Sequence, residues 1–151
     1  MNLEEAIKSS KFRTEKQKAG INILYTAWWL KSIISRELKE NGLTHEQFNV
    51  LRILKGKHPE KMCVRDIASR MIEKSSNVPR IIDRLEAKSL VQRTTSNIDK
   101  RETVTNLTKE GIALLEAAST KVGSLFTRVL DINESDATVL NTLLDKYRKN
   151  E

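Results

Sequence analysis

Residues 75–107 read SSNVPRIIDRLEAKSLVQRTTSNIDKRETVTNL, and the reading of the fold starts there. Val78, Ile81, Ile82 and Leu85 recur at i, i+3, i+4 and i+7, the spacing of one helix face. Asn77, Arg80, Arg84 and Lys88 fall together on the opposite face. Ser75 or Ser76 is placed to cap this helix, and Pro79 lies within its first turn, where a missing N–H does no harm. Leu90 to Thr94 reads as a strand, 96–101 as a polar turn, and Glu102 to Leu107 as a second strand with β-branched Thr103 and Thr105. A helix followed directly by a hairpin is the core of a winged helix.

The flanking sequence supplies the other helices. Residues 14–40 predict a long helix with Ile21, Leu24, Tyr25 and Trp28 on one stripe, ended by Asn41-Gly42. Thr44 and Gln47 form a capping box for a second helix carrying Phe48, Leu51 and Leu54, which Gly56 stops. Met62 to Val64 reads as a short strand, and Ile67, Ala68 and Met71 mark a short helix. Thr108 caps a further helix with Ile112, Leu115, Val122, Phe126 and Val129 in its stripe, and Ser135 begins a last one. The expected fold class is mainly α (α+β): a winged helix-turn-helix over 42–107 between an N-terminal helix over 1–41 and C-terminal helices over 108–151.

Charge narrows the partner. The chain has 151 residues, 27 Lys+Arg and 20 Asp+Glu, for a net charge of +7. The excess is confined to residues 1–107; residues 108–151 are slightly acidic. A basic balance points to an anionic partner. No apolar run reaches the roughly 18 residues of a membrane span, and no secretory signal is visible, so a cytoplasmic protein without membrane contact is expected. One cysteine, Cys63, excludes a disulfide framework, and His45 and His58 are too isolated for a metal site. No phosphate-cradling glycine loop, nucleophile elbow or HExxH segment appears, so no enzyme is expected.

Four pieces of sequence, in order, resemble the MarR family of bacterial transcription regulators. They are Leu43-Thr44-x-x-Gln47-Phe48-x-Val50-Leu51, Ile67-Ala68-x-x-Met71, Arg80-x-x-Asp83-Arg84-Leu85-Glu86-x-x-x-Leu90-Val91-x-Arg93, and the wing Asp99-Lys100-Arg101 with Val104-x-x-Leu107-Thr108-x-x-Gly111. The resemblance covers roughly residues 21–148 and implies an intertwined homodimer that binds a pseudo-palindromic operator in double-stranded DNA. Ser75, Ser76, Asn77, Arg80, Arg84 and Lys88 are then the candidates for the major groove. At the wing the resemblance implies that Arg101 enters the minor groove and that Asp99 orients it, with Asn97 and Lys100 as phosphate contacts. It implies a dimer interface through Leu125, Phe126, Val129, Leu140, Leu143 and Tyr147.

The resemblance also implies a small aromatic effector between the dimer helices and the winged domain, with Trp28 or Trp29 lining that cleft; packing is the competing reading for both. No cofactor or metal is expected. Cys63 reads as a buried, inert thiol, with redox sensing as the alternative. Two positions depart from the family pattern. Pro79 stands where Thr is frequent, and Ser89 where Gly usually ends the helix, which strains that C-cap. The resulting reading is an effector-responsive repressor. The alternatives are a DNA-binding architectural protein without sequence preference and a winged helix used for protein–protein contact.

Overall fold

The computed structural model describes residues 1–148. Helices α1 (Leu3–Ile7), α2 (Glu15–Lys39) and α3 (His45–Lys57) lead into a two-residue strand β1 (Met62–Cys63) and helix α4 (Val64–Arg70). Helix α5 (Val78–Ala87), strands β2 (Val91–Thr95) and β3 (Thr103–Leu107), and helices α6 (Lys109–Val129) and α7 (Glu134–Tyr147) follow. The strands form one antiparallel sheet in the order β1-β3-β2, with Val91 opposite Leu107, Thr95 opposite Thr103 and Met62 opposite Thr105. This is the expected helix-turn-helix with a wing.

Local chemistry accounts for the helix starts. Thr14, Thr44, Asn77, Thr108 and Asn133 each accept the N–H three residues on, and at Thr44 the Gln47 side chain closes the reciprocal capping box. Two caps differ from expectation. Ser76 Oγ is turned back to donate to the Glu73 carbonyl at 2.7 Å, so Asn77 caps α5 in place of either serine. Helix α7 starts at Glu134, one residue ahead of Ser135, because the Asn133 amide oxygen takes the Asp136 N–H at 2.8 Å and caps it there. Helix α3 runs one residue past Gly56. Helix α1 was not expected; Asn2 and Glu5 form its capping box, and Glu4 pairs with Lys18 of α2.

One core unites the winged helix with the long helices. Ile34 and Leu38 of α2 pack with Phe48, Val50, Leu51 and Leu54 of α3, Val78, Ile82 and Leu85 of α5, and Leu115, Ala118, Val122 and Leu125 of α6. Leu125 is 6% exposed and belongs to this core, so its role is within its own chain and not at the surface. Helix α7 has no buried residue; Val139, Leu140, Leu143 and Tyr147 all lie open, as do Leu24 and Trp28 on α2. Exposed apolar faces of this extent mark an interaction surface.

Candidate nucleic-acid interface

Helix α5 is two-faced. Val78, Ile82 and Leu85 are buried beneath it, while Asn77, Arg80 and Arg84 are exposed above. Arg80 donates its backbone N–H to the Asn77 side chain, and no ion pair holds the Arg80 or Arg84 guanidinium among the described residues. A shallow groove lined by Thr44, Gln47, Ser76, Asn77, Arg80 and Arg84 runs between the start of α3 and α5. Ser75 is exposed and Ser76 half-buried at its edge.

Lys88 does not join this face. It is the C-cap residue, where the backbone has left helical geometry (φ −89°, ψ 3°). Its ammonium donates to the Gly42 carbonyl at 2.6 Å and to Gln47 Oε1 at 3.2 Å, tying the end of α5 to the α2–α3 turn. Extrapolating the helical wheel through a cap misplaces it.

The helix then ends in the left-handed region. Ser89 has φ +58°, its N–H reaches Glu86 O at 2.8 Å, and Leu90 N–H reaches Leu85 O at 3.0 Å. A β-carbon at such a site costs about 1–2 kcal/mol. Ser89→Gly removes it at a cost of about 0.5–1 kcal/mol in unfolded-chain entropy. The variant is therefore expected to gain about 0.5–1 kcal/mol, read as a higher urea midpoint; a lower midpoint would contradict the strain.

Beyond Ser89 the chain is clamped to the next helix. Thr108 N–H donates to Leu90 O at 3.2 Å, Thr108 Oγ1 donates to Ser89 O at 2.7 Å, and Gly111 N–H donates to Thr108 Oγ1 at 3.0 Å. Gly111 lies so close that a β-carbon on it would stand 2.0 Å from Leu90 O. The start of α6 and the end of α5 thus share one hydrogen-bonded joint.

The hairpin is fastened to α5 by Arg93. Its Nη1 donates to Asp83 Oδ1 at 2.7 Å, and its Nε, at 2.8 Å, and Nη2 both donate to Glu86 Oε2. Arg93 holds the Glu86 carboxyl below the usual carboxylate range. Sequence inspection placed Arg93 within a motif without assigning it this work.

The wing tip is built by Ser96 and Asp99. Buried Ser96 Oγ accepts the N–H groups of Ile98 and Asp99 at 3.2 and 3.3 Å. Asp99 Oδ1 accepts the Arg101 N–H at 3.0 Å and stands 3.5 Å from Arg101 Nε. The Arg101 side chain is 94% exposed, so the turn is fixed while the guanidinium projects into solvent. Asn97 and Lys100 are exposed beside it.

A separate cleft of about 370 Å³ opens between α2, α3 and α6. Leu30, Ile34, Phe48, Val122 and Phe126 form its apolar wall, and Lys31, His45, Arg52 and Glu73 its polar rim. Burial pushes the His45 imidazole down from its ordinary value. Lys31 bonds Glu73 at 2.7 Å and Glu46 at 3.0 Å, and these carboxylates raise its affinity for its proton. Neither tryptophan lines the cleft. Trp28 is 62% exposed with its ring centroid 5.6 Å from that of Tyr25, and Trp29 is half-buried elsewhere. The α2 stripe that does line it is Ala27, Leu30, Lys31 and Ile34.

Cys63 is buried, and desolvation pushes its thiol pKa up, the environment of an unreactive thiol. Among the described residues no cluster of three or more His, Cys, Asp or Glu is arranged to hold a metal ion, and no helix is long and apolar enough to cross a membrane.

This geometry has known counterparts. A family model described as the MarR family matches residues 43–103. Over these residues, which hold the winged helix-turn-helix, the chain is similar to the MarR family. Among relatives, the uncharacterized HTH-type transcriptional regulator YkoM of Bacillus subtilis is 35% identical over 81 residues. That match covers 54% of this chain and spans only 51% of YkoM's own length. The HTH-type transcriptional regulator MgrA of Staphylococcus aureus is 27% identical over 148 residues, covering 96% of this chain and 89% of MgrA. Among solved structures, BpsR of Bordetella bronchiseptica shares the fold, superposing with a TM-score of 0.80 at 20% identity and covering 94% of this chain and all of BpsR. The DNA binding of BpsR is regulated by 6-hydroxynicotinic acid.

Proposed function

We propose that the chain is a DNA-binding transcriptional regulator that acts as a homodimer on double-stranded DNA. The observation that carries this reading is the pair of exposed cationic surfaces, Arg80 and Arg84 on α5 and Arg101 on a preorganised hairpin tip, tied together through Arg93. A major groove admits one α-helix, and Asn and Arg side chains bond base edges or phosphates there. A projecting arginine suits the narrow, electronegative minor groove beside it. Open apolar side chains on α7 and on α2 supply the surface that a second copy would bury. A twofold pair of recognition helices then matches a pseudo-palindromic operator, with repression the expected outcome of occupancy.

The cleft against α2 is the proposed effector site. Its apolar wall and polar rim of Lys31, Arg52 and Glu73 suit a small aromatic molecule, and its position between the long helix and the winged helix lets occupancy change the spacing of two recognition helices. The regulation of BpsR by a small aromatic acid supports this part of the reading.

Selection of genomic fragments from the source organism by the purified protein tests the proposal. Recovery of a few fragments sharing a pseudo-palindrome, bound by a species of twice 17.3 kDa, is the expected result. Discrimination of about tenfold or less between fragments would favour an architectural protein. No retention of DNA would favour a winged helix used for protein contact.

A further inference from the structure

Helix α5 is held at both ends, by ties of different kinds. At its C-terminal end the joint with α6 is made of backbone atoms packed against Gly111. At its N-terminal end the approach is the irregular segment 71–77, which buried Met71 anchors in the core and whose exposed Ile72 and Glu73 border the cleft. Lys74 donates to Ser69 O of α4 at 2.7 Å, and two polar ties join the segment to α3 and α2. Ile72 N–H donates to Asn49 Oδ1 of α3 at 3.0 Å, and Glu73 accepts the Lys31 ammonium of α2 at 2.7 Å. Glu73 O in turn takes the Ser76 hydroxyl at 2.7 Å and the Ser76 N–H at 3.1 Å, directly ahead of the Asn77 cap.

We propose that Lys31 is a positioning residue for DNA binding: by gripping Glu73 it latches segment 71–77 to α2 and so fixes the first turn of α5, where Asn77 and Arg80 sit. The inference rests on the DNA-binding reading above. Lys31 also rims the cleft and is shared with Glu46 at 3.0 Å, so the latch is placed where cleft occupancy can compete with it. Its cations and carboxylates are partly solvated, which makes it breakable, unlike the joint at the other end.

The sign of one substitution separates this from general electrostatics. Removing an acidic side chain from a DNA-binding protein ordinarily strengthens binding, because it removes repulsion from phosphate. A latch requires the opposite. Glu73→Gln and Lys31→Met are each expected to weaken DNA binding about threefold to fivefold, with no more loss in the double variant, as for two halves of one interaction. The log–log salt slope should stay at the wild-type value, since Lys31 is not read as a phosphate contact. Lys31→Arg, which keeps charge and reach, should keep wild-type affinity.

Binding is read by titration of duplex DNA, a selected fragment where selection yields one and sonicated mixed-sequence DNA otherwise. Amide hydrogen exchange on the free protein gives a second readout: both single variants should speed exchange across 72–77 and leave α6, and α3 beyond its first turn, unchanged. Unchanged exchange in either variant, tighter binding by Glu73→Gln, or additive losses in the double variant would overturn the latch. A wild-type protein that binds no DNA would overturn the functional reading instead, and the exchange arm would still decide whether the latch exists.

Discussion

Gly111→Ala is expected to destabilise the protein by about 3–5 kcal/mol, from overpacking together with loss of a buried backbone hydrogen bond. The alanine methyl would stand 2.0 Å from Leu90 O and 2.9 Å from Leu90 C, and both are backbone atoms that cannot rotate away. Either α6 or the α5–β2 connection must shift, and the Thr108 N–H bond to Leu90 O lies in the path of both movements. Helix propensity alone gives the reverse sign, since Ala is favoured over Gly by about 1 kcal/mol within a helix. Against a typical total of about 5–15 kcal/mol, the loss leaves a marginal fold. Urea denaturation followed by circular dichroism measures it, and a midpoint equal to that of the unaltered protein would rule out the close approach.

Arg80→Ala and Arg101→Ala are expected to have the largest effects on DNA binding, and to differ in kind. A bidentate base contact contributes about 1–3 kcal/mol of discrimination. Each substitution is present twice in a homodimer, so Arg80→Ala is expected to weaken operator binding about a hundredfold and to relax the preference at one position in each half-site. Arg101→Ala is expected to weaken binding more evenly across sequences of similar groove width, because minor-groove readout is degenerate. Titrations against the operator and against single-base variants of it distinguish the two. Wild-type affinity in both variants would remove the basis for the proposed interface.

Much of this arrangement was legible in the sequence, and the failures have local causes. The periodic faces of α3, α5 and α6 were readable because burial selects apolar residues at helical spacing, as in Val78, Ile82 and Leu85, whereas the α2 stripe of Leu24 and Trp28 lies open and its buried residues are Ile34 and Leu38. The hairpin was readable from β-branched residues flanking a polar turn. Helix α1 was not, since five residues have little periodicity and theirs is secured by a capping box and an ion pair to α2. The cap of α5 went to Asn77 because Ser76 spends its hydroxyl on Glu73 O, a competition that residue type does not reveal. Lys88 was misplaced because helical geometry had already ended there.

Leu125 and the tryptophans show a further limit. A helical stripe names apolar residues without saying which neighbour covers them: Leu125 faces its own core, while Trp28 remains open and outside the cleft. The sequence pieces that resemble the MarR family contain both Arg93 and Gly111, yet pattern alone gave neither a reason. Arg93 is the staple between helix and wing, and Gly111 is the place where two backbones meet.

The Arg93 staple has a consequence for how a regulator of this kind would tolerate variation in its target. Asp83 and Glu86 lie on α5, Arg93 on β2, and these pairs, together with Leu85, Leu90 and Val91 buried in one core, hold helix and wing as one body. The reach from a major-groove contact to the neighbouring minor-groove contact is then a fixed gauge within each subunit. An insertion or deletion inside a half-site would put one contact out of step with no means of adjustment. A change in the spacer between half-sites falls instead on the joint between subunits, where freedom to adapt resides.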